Sequence, residues 1–264
     1  MTHSEKIDRL AVALLRARRE RRTLDAELFH GLVCDPTDAL WVQRRVLQSM
    51  NDHQEPQPGC WKSGGPARDM LTHSLLPAAG IHFGSTTLRY SDFNMPKVEA
   101  EIAFRLGCPV TPTQAERLND DTASSLIEAV AVSIEIVDSR WRQGLQAPAL
   151  LRLSDFQSHG ALVLGDWMPF TGCDWSSQYC NVQIGNHPAI LRRGSHPVGN
   201  PASLLPAWLR HATSHGETIA SGTVVTTGSW VGMLSVECDE SITVSFQGIG
   251  MAEVAMRSCP LGLA

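Results

Sequence analysis

The chain has 264 residues, of which 43% are hydrophobic and 19% charged, and its 22 Lys and Arg against 27 Asp and Glu give a net charge of −5. This composition can bury a large core without disulfides or metal, which excludes disordered, collagen-like and fibrous proteins. The acidic balance argues against a protein that binds nucleic acid or a membrane surface, because those partners select for Lys and Arg. We expect a small ligand as the partner.

The cysteines and the N-terminus bear on the compartment. Seven cysteines are scattered along the chain, without a Cys-x-x-Cys pair or a zinc-binding spacing. We interpret them as reduced thiols of a cytoplasmic protein. The N-terminus gives no apolar segment of a signal peptide, and no apolar stretch reaches the roughly 18 residues of a membrane span.

Residues 1–58 are predicted to form a helical region. Apolar residues recur at helical spacing from Ile7 onward, and Asp35-Pro36-Thr37-Asp38 begins a second amphipathic run. Segment 16–22 holds five arginines but is interrupted by a glutamate, and we interpret it as a solvated helix end rather than an anion-binding patch. The Pro- and Gly-containing segment 54–59 breaks the helix and marks the boundary.

Residues 59–264 are predicted to form a β-rich domain, because short β-branched runs alternate with glycines. The predicted strands are 98–105, 131–138, 161–165, 181–191, 223–227, 231–236, 241–247 and 252–257. Two helices are predicted among them, near 113–131 and near 201–216. The predicted fold class is therefore α+β, with a small helical N-terminal part packed on a larger mixed β-sheet.

Three carboxylates on two predicted strands are the strongest local signal. In segment 96–104 the alternation of side chains directs the apolar residues into the core and places Glu99 and Glu101 side by side on the opposite face. Glu135 lies in a second apolar run, where an unpaired buried carboxylate is costly. A hard cation such as Mg²⁺ or Mn²⁺ would relieve their repulsion. Spacing alone leaves open that Glu99 and Glu101 are solvated side chains on a half-exposed strand.

The same segments resemble a known family. Lys97-Val98-Glu99-Ala100-Glu101-Ile102-Ala103-Phe104, followed by Glu135-Ile136-Val137-Asp138-Ser139-Arg140, is similar to the fumarylacetoacetate hydrolase superfamily, in its 2-oxopent-4-enoate hydratase and 4-oxalocrotonate decarboxylase branch. Further segments match in the same order, namely 59–64, 154–165, 227–229 and 246–250. The resemblance spans about residues 30–257. It implies the β-sheet roll of that superfamily and a site in which Mg²⁺ or Mn²⁺ is bound by Glu99, Glu101 and Glu135.

The resemblance also implies roles for other side chains. Lys62 is the candidate acid/base, with a surface lysine as the alternative. Ser158 and the turn Thr227-Gly228-Ser229 are candidate substrate contacts, although Thr-Gly-Ser is also a common turn at the end of a strand.

One segment departs from the branch. Where those hydratases resemble Pro-Asp-Phe-Gly, this chain has Gly80-Ile81-His82-Phe83-Gly84, so an imidazole replaces a carboxylate. His82 is therefore a second candidate catalytic residue, alone or with His73. A neutral His82 that packs beside its neighbouring phenylalanine is the alternative.

The predicted function is a divalent-metal-dependent hydratase that converts a 2-hydroxy-2,4-dienoate to a 4-hydroxy-2-oxo acid in aromatic catabolism. The ion would chelate the small 2-oxo acid and stabilise its enolate form, Lys62 would help to ketonise the dienol, and water would add at the far carbon. Segment 62–85, with its glycines and prolines, is expected to cover the pocket as a lid.

Three alternatives use the same site. A decarboxylase of an oxalocrotonate-like diacid would need a second cationic pocket, which the sequence does not display. A C–C hydrolase of an acylpyruvate would use His73 or His82. A non-catalytic subunit would keep the metal and stabilise a pathway enzyme. The family also implies a homo-oligomer.

Overall fold

The chain consists of a helical N-terminal part and two β-sheets. The computed structural model describes residues 2–50 and 58–258. The α-helices are α1 His3–Glu20, α2 Pro36–Met50, α3 Pro112–Glu116, α4 Asp120–Ser124, α5 Ala149–Ser154 and α6 Leu205–Ala212. This arrangement confirms the α+β class with its small helical start.

Most of the remaining chain is β-strand. The strands are β1 Cys60–Gly64, β2 Thr72–Leu75, β3 Ile81–Phe83, β4 Thr86–Arg89, β5 Lys97–Leu106, β6 Ile127–Val137, β7 His159–Leu164, β8 Met168–Pro169, β9 Tyr179–Ile184, β10 Ile190–Arg193, β11 Val224–Thr226, β12 Leu234–Ser235, β13 Ser241–Phe246 and β14 Gly250–Arg257. Nine of them form a mixed sheet in the order β2-β1-β11-β5-β6-β7-β3, with β12 beside β5 and β8 beside β6. The other five form a second sheet in the order β10-β9-β13-β14-β4.

The main core lies on one face of β5. Val98, Ala100, Ile102 and Phe104 are fully buried and belong to one apolar cluster with side chains of β6, β9, β13 and β14. Because successive residues of a strand point to opposite faces, the odd-numbered residues of β5 lie on the other face of the nine-stranded sheet. That second face carries the predicted carboxylates.

Helix α1 begins with a capping box, and α1 and α2 pack together in a shared apolar core. The Thr2 hydroxyl accepts a hydrogen bond from the Glu5 N–H at 3.3 Å, and the Glu5 carboxylate accepts one from the Thr2 N–H at 2.7 Å, which is a capping box. The apolar faces of α1 and α2 pack with Trp141, Leu151 and Phe156 in a second buried cluster. The helical part therefore shares its core with the segment that follows β6. The boundary predicted at 58/59 stays a prediction, because residues 51–57 beside it lie outside the described part.

Three predicted elements were wrong in their bounds. The helix predicted near 113–131 ends with α4, and β6 begins at Ile127, because the β-branched run of β6 pairs with β5 along its whole length. The strand predicted over 181–191 is a hairpin of β9 and β10, with a turn that contains Gly185 at a φ of 47°. The helix predicted near 201–216 is a 3-10 turn followed by α6.

The predicted lid is also different in the structure. Within segment 62–85, β1 pairs with both β2 and β11, and β3 pairs with β7, so most of this segment is part of the sheet. The loop between β1 and β2 borders the cavity described below through Gly65, Pro66 and Met70.

Two further findings concern the whole described chain. None of the helices within residues 2–50 and 58–258 combines the length and apolar character that crossing a bilayer requires. The six cysteines in these ranges are free thiols.

Candidate metal centre and its cavity

The two central strands bring the three predicted carboxylates together. In the β5–β6 register Glu99 is directly opposite Glu135, and Glu101 is opposite Ser133. One ligand oxygen from each of the three glutamates lies within 4.8 Å of the others. The strands fix this geometry, since paired residues on one face of antiparallel strands have neighbouring Cβ atoms.

Burial distinguishes this cluster from acidic residues on a solvated strand. Glu101 and Glu135 are both 0% exposed, and Glu99 is partly buried. A solvated, half-exposed strand therefore does not describe this face of β5. Buried carboxylates need a compensating charge or hydrogen-bond donors.

Protein donors satisfy only half of the buried carboxylate oxygens. The Thr226 hydroxyl on β11 donates to Glu101 Oε2. The Lys62 ammonium lies 2.7 Å from Glu135 Oε1, and His159 Nδ1 lies 3.3 Å from the same oxygen. Glu101 Oε1 and Glu135 Oε2 are buried and have no hydrogen-bond partner among the described residues. Two converging orphan oxygens on an all-carboxylate donor set fit a hard divalent cation such as Mg²⁺ or Mn²⁺.

The pKa values of the glutamates reflect the same deficit of positive charge. Burial and the neighbouring carboxylates raise the pKa of Glu101 to about 8, and burial raises the pKa of Glu99 to about 7. Burial also acts to raise the pKa of Glu135, but Lys62 and His159 outweigh it and lower that pKa. Lys62 and His159 thus pair with Glu135, whereas among the described residues Glu99 and Glu101 form no ion pair with a basic side chain.

Lys62 faces the carboxylates from β1. It pairs with Thr226 in the β1–β11 register, and Thr226 pairs with Ala103 of β5, so all three lie on the face of the carboxylates. The lysine side chain is 9% exposed. Burial acts to lower its pKa, but the negative charges of Glu135 and its two neighbours outweigh that effect and raise it. In the metal-free protein Lys62 is therefore a cation.

The predicted substrate contacts border the same cavity. Ser158 is buried, and its hydroxyl has no partner among the described residues. Thr227 is anchored by a hydrogen bond from its hydroxyl to the Ile102 carbonyl at 2.7 Å. Gly228 has a φ of 93°, a conformation that a side chain would strain, and Ser229 donates to the Gly232 carbonyl at 2.8 Å.

The two histidines proposed as bases are not brought to the carboxylates. His82 of β3 pairs with Val163, which pairs with Ile134, so His82 is on the core face of the sheet, one residue out of phase with Glu135. His73 of β2 pairs with Ser63, next to Lys62 but on the opposite face, and its Nδ1 lies 2.9 Å from the Ser63 hydroxyl. Burial lowers the pKa of His73 to about 3, so it stays neutral.

A cavity of about 740 Å³ opens beside the carboxylates. Its wall includes Lys62, Glu99 and Glu101 together with the predicted substrate contacts. Arg152 of α5 lines it as well, and its Nε donates to the Ala147 carbonyl at 3.1 Å. Three residues at the site were not predicted from the sequence, namely Arg152, Thr226 and His159. His159 lay within a matched segment, whereas no local pattern identified the other two.

One protein-family model matches most of the chain. A family model described as "Fumarylacetoacetate (FAA) hydrolase C-terminal" matches residues 63–257. The chain belongs to the fumarylacetoacetate hydrolase family. This confirms the resemblance found in the sequence, and the family range contains all three glutamates.

Curated relatives of this family member have one name in common. A 4-oxalocrotonate decarboxylase from a Pseudomonas species is 30% identical over 166 residues, which cover 59% of this chain and 58% of the relative. A 4-oxalocrotonate decarboxylase from Pseudomonas putida is 25% identical over 156 residues, covering 59% of this chain and 58% of that protein. The chain thus matches a little over half the length of these relatives.

Solved structures support the fold of this family member over nearly its whole length. The 4-oxalocrotonate decarboxylase from Pseudomonas putida G7, complexed with magnesium and adipate, superposes with a TM-score of 0.85 at 19% identity, over 97% of this chain and 98% of that one. The fumarylpyruvate hydrolase from Pseudomonas aeruginosa, in complex with Mn²⁺ and pyruvate, gives a TM-score of 0.57 at 14% identity, over 78% and 92% of the two chains.

Proposed function

We propose that this family member is a divalent-metal-dependent decarboxylase of a 2-oxo diacid of the oxalocrotonate type. The observation that carries the proposal is that one cavity of about 740 Å³ is lined by Glu99, Glu101 and Lys62 and also by Arg152. The sequence had given no second cationic group for a diacid. The names of the curated relatives support the same activity.

Glu99, Glu101 and Glu135 would hold Mg²⁺ or Mn²⁺ in this proposal. The orphan oxygens of Glu101 and Glu135 are the observation that supports it. When bound, the ion supplies Lewis-acid polarisation of the carboxylate and 2-oxo group of the substrate. The Thr226 hydroxyl and Lys62 each bind one carboxylate oxygen and so orient the glutamates.

Lys62 is the proposed proton donor. Decarboxylation breaks the bond between a carbon and the leaving CO₂, and the electron pair passes through the conjugated chain toward the 2-oxo group. The resulting dienolate must then take up one proton, at the 2-oxygen or at a carbon of the conjugated chain. The Lys62 ammonium borders the cavity and is held by Glu135 Oε1 at 2.7 Å and by the Gln157 carbonyl at 3.4 Å. It is therefore placed to donate that proton and to recover one from solvent.

Arg152 is the proposed partner of the second substrate carboxylate. Its Nε is bound to a backbone carbonyl, and among the described residues it forms no ion pair with an acidic side chain. The two terminal nitrogens of a guanidinium match the two oxygens of a carboxylate. In this proposal the Ser158 hydroxyl and the Thr227-Gly228-Ser229 turn, which border the cavity, supply further polar groups for the substrate.

The hydratase that the sequence favoured shares this site and stays a prediction. An acylpyruvate hydrolase built on His73 or His82 is not favoured, because both histidines lie on the face of the sheet opposite the carboxylates. A homo-oligomer and a complex with a pathway enzyme also remain predictions.

The test supplies the metal-loaded protein with 4-oxalocrotonate and, separately, with 2-hydroxypenta-2,4-dienoate. We expect one equivalent of CO₂ from the diacid only when Mg²⁺ or Mn²⁺ is present.

Arg152→Met should raise the KM for the diacid by roughly tenfold or more, because it removes a charged hydrogen bond. Arg117→Met, at an exposed arginine, is the control and should not change the KM. Consumption of the dienoate without CO₂ release from the diacid would refute the decarboxylase and establish the hydratase.

A further inference from the structure

Three consecutive residues of the site have a left-handed backbone. The φ angles are 51° at Phe156, 53° at Gln157 and 62° at Ser158. L-residues rarely adopt this conformation, because their Cβ approaches the following carbonyl oxygen. Such a turn persists only where the surrounding structure holds it in place. This left-handed turn, residues 156–158, therefore needs an external support.

Each residue of the left-handed turn presents a different group. The Phe156 side chain is fully buried in the cluster of the N-terminal helices. The Gln157 carbonyl accepts the hydrogen bond from Lys62 at 3.4 Å. The Ser158 hydroxyl is buried without a partner among the described residues, and Ser158 lines the cavity. The turn thus joins the helical core to two groups of the proposed active site.

Two arginines, the buried Arg140 and the largely buried Arg18, bind both ends of the left-handed turn. Arg140 Nε donates to Asp155 Oδ1 at 2.8 Å, and Arg140 Nη2 donates to the His159 carbonyl at 2.8 Å. Arg18 Nη2 donates to Asp155 Oδ1 at 2.9 Å, and Arg18 Nη1 donates to the His159 carbonyl at 3.3 Å. Each guanidinium therefore bridges the residue before the turn and the residue after it.

Arg18 comes from α1, which lies outside the matched range of the family model. Its side chain is 12% exposed, and its Cζ lies 4.9 Å from the centre of the Phe156 ring. Burial and the adjacent Arg140 lower the pKa of Arg18 to about 10, so it remains a cation at neutral pH. The solvated helix end predicted for segment 16–22 is therefore wrong for this arginine.

We propose that Arg18 is a positioning residue of the active site. By holding Asp155 and the His159 carbonyl, it keeps the left-handed turn in the conformation that directs Ser158 into the cavity and the Gln157 carbonyl toward Lys62. The N-terminal helix thereby takes part in the reaction of the β-rich domain. The expected effect of Arg18 on kcat rests on the proposed function, whereas its expected effect on the conformation of the left-handed turn does not.

The first experiment compares Arg18→Met with Arg19→Met, an exposed arginine on the same helix that contacts the Ser49 carbonyl. Hydrogen exchange is followed in peptides covering 155–160, where the Ser158 N–H donates to the Asp155 carbonyl at 2.9 Å, and in peptides covering β6. We expect exchange in 155–160 to accelerate tenfold or more in Arg18→Met alone, with β6 unchanged. Under the same conditions kcat should fall tenfold or more, and the Mg²⁺ affinity should stay within twofold.

The second experiment tests whether Arg18 acts through the backbone of the turn. Gln157→Gly and Gln157→Ala both remove the side-chain hydrogen bond to Ser74, but only glycine adopts a positive φ without strain. In the Arg18→Met background, Gln157→Gly should therefore recover at least threefold more kcat than Gln157→Ala. If Arg18→Met does not fold, Arg18→Lys takes its place in both experiments. The lysine ammonium keeps the positive charge but cannot contact Asp155 and the His159 carbonyl at the same time as the guanidinium does.

Several outcomes would overturn the inference. Folded Arg18→Met with unchanged exchange in 155–160, or with a wild-type kcat, would remove the positioning role. Equal recovery by glycine and alanine at residue 157 would show that Arg18 does not act through the turn. If the wild-type protein turns over neither substrate, the proposed function fails, while the hydrogen-exchange comparison still decides the role of Arg18.

Discussion

Removal of the metal should make the stability of this protein fall as the pH rises from 7 to 8. In the metal-free protein the pKa of Glu101 is about 8 and that of Glu99 about 7, against an ordinary value of 4.5. Between the ordinary pKa and the raised pKa, the folded state binds more protons than the unfolded state. Stability is therefore lost with increasing pH over that interval.

The magnitude follows from the number of protons involved. From pH 7 to 8 the two glutamates together hold about one more proton in the folded state than in the unfolded chain, which corresponds to a loss of about 1.4 kcal/mol. For a chain of this size, such a loss lowers the Tm by about 3–5 °C. Buried histidines with a lowered pKa, such as His73, act in the opposite direction by about 0.1 kcal/mol each over this interval, because the unfolded chain still binds some protons on histidine at pH 7. This contribution is the same with and without metal, so it cancels from the gap in Tm between the two forms.

The assay is thermal unfolding at several pH values, with a chelator or with saturating Mg²⁺ or Mn²⁺. A bound cation stabilises the ionised carboxylates, so the metal-loaded protein should lack the slope and the gap in Tm should widen from pH 7 to 8. Glu101→Gln should flatten the metal-free slope, and Glu101→Ala should lose metal binding and turnover together. A gap independent of pH, or metal affinity unchanged in Glu101→Ala, would refute the assignment of these ligands.

Three further predictions concern single side chains. Lys62→Met should retain metal binding, measured by calorimetry, but reduce kcat by roughly 10²-fold or more, as expected for the loss of a general acid; a wild-type kcat would exclude that role. His82→Ala should change kcat less than about twofold, because the side chain lies on the core face of the sheet, and a larger loss in steady-state assays would restore His82 as a catalytic candidate. Phe104→Ala should lower the free energy of unfolding by about 3–5 kcal/mol in urea titrations, because the ring is fully buried against Phe170 and Trp175; a loss below about 1 kcal/mol would contradict this packing.

The sequence predicted correctly those features that depend on residues close together along the chain, namely the faces of β5 and the helical start. Alternation along 98–104 separated Glu99 and Glu101 from the core residues correctly, because the period of a strand is a local property of the backbone. The helical start, predicted from apolar residues at helical spacing, is local in the same sense. The family segments, in their order, were sufficient to predict the fold and the three glutamates as one cluster.

The sequence failed where an element's limits depend on its partners. The helix predicted near 113–131 was extended too far, into residues that form the first part of β6. These residues pair with β5, and pairing along the whole of β5 outweighs the local helical propensity. His82 and His73 were predicted as candidate bases because imidazole can accept a proton near neutral pH. The register of the sheet places both on the face opposite Lys62 and Glu135. A shift of one residue along a strand is enough to reverse the face, and the sequence does not reveal register.

The charge distribution of the site was decided by the tertiary structure alone. Lys62 and Glu135 are 73 positions apart in the chain. Their 2.7 Å ion pair forms because the strand order β1-β11-β5-β6 places β1 and β6 in the same sheet, with both side chains on one face. Arg18 and Asp155 are separated by 137 positions and meet only because α1 packs against the segment that follows β6. The sequence by itself therefore determined the family and the fold class and brought forward the three glutamates as predicted metal ligands, since these follow from local patterns. The partners of each charge had to come from the structure, because contacts between distant segments depend on strand order and register.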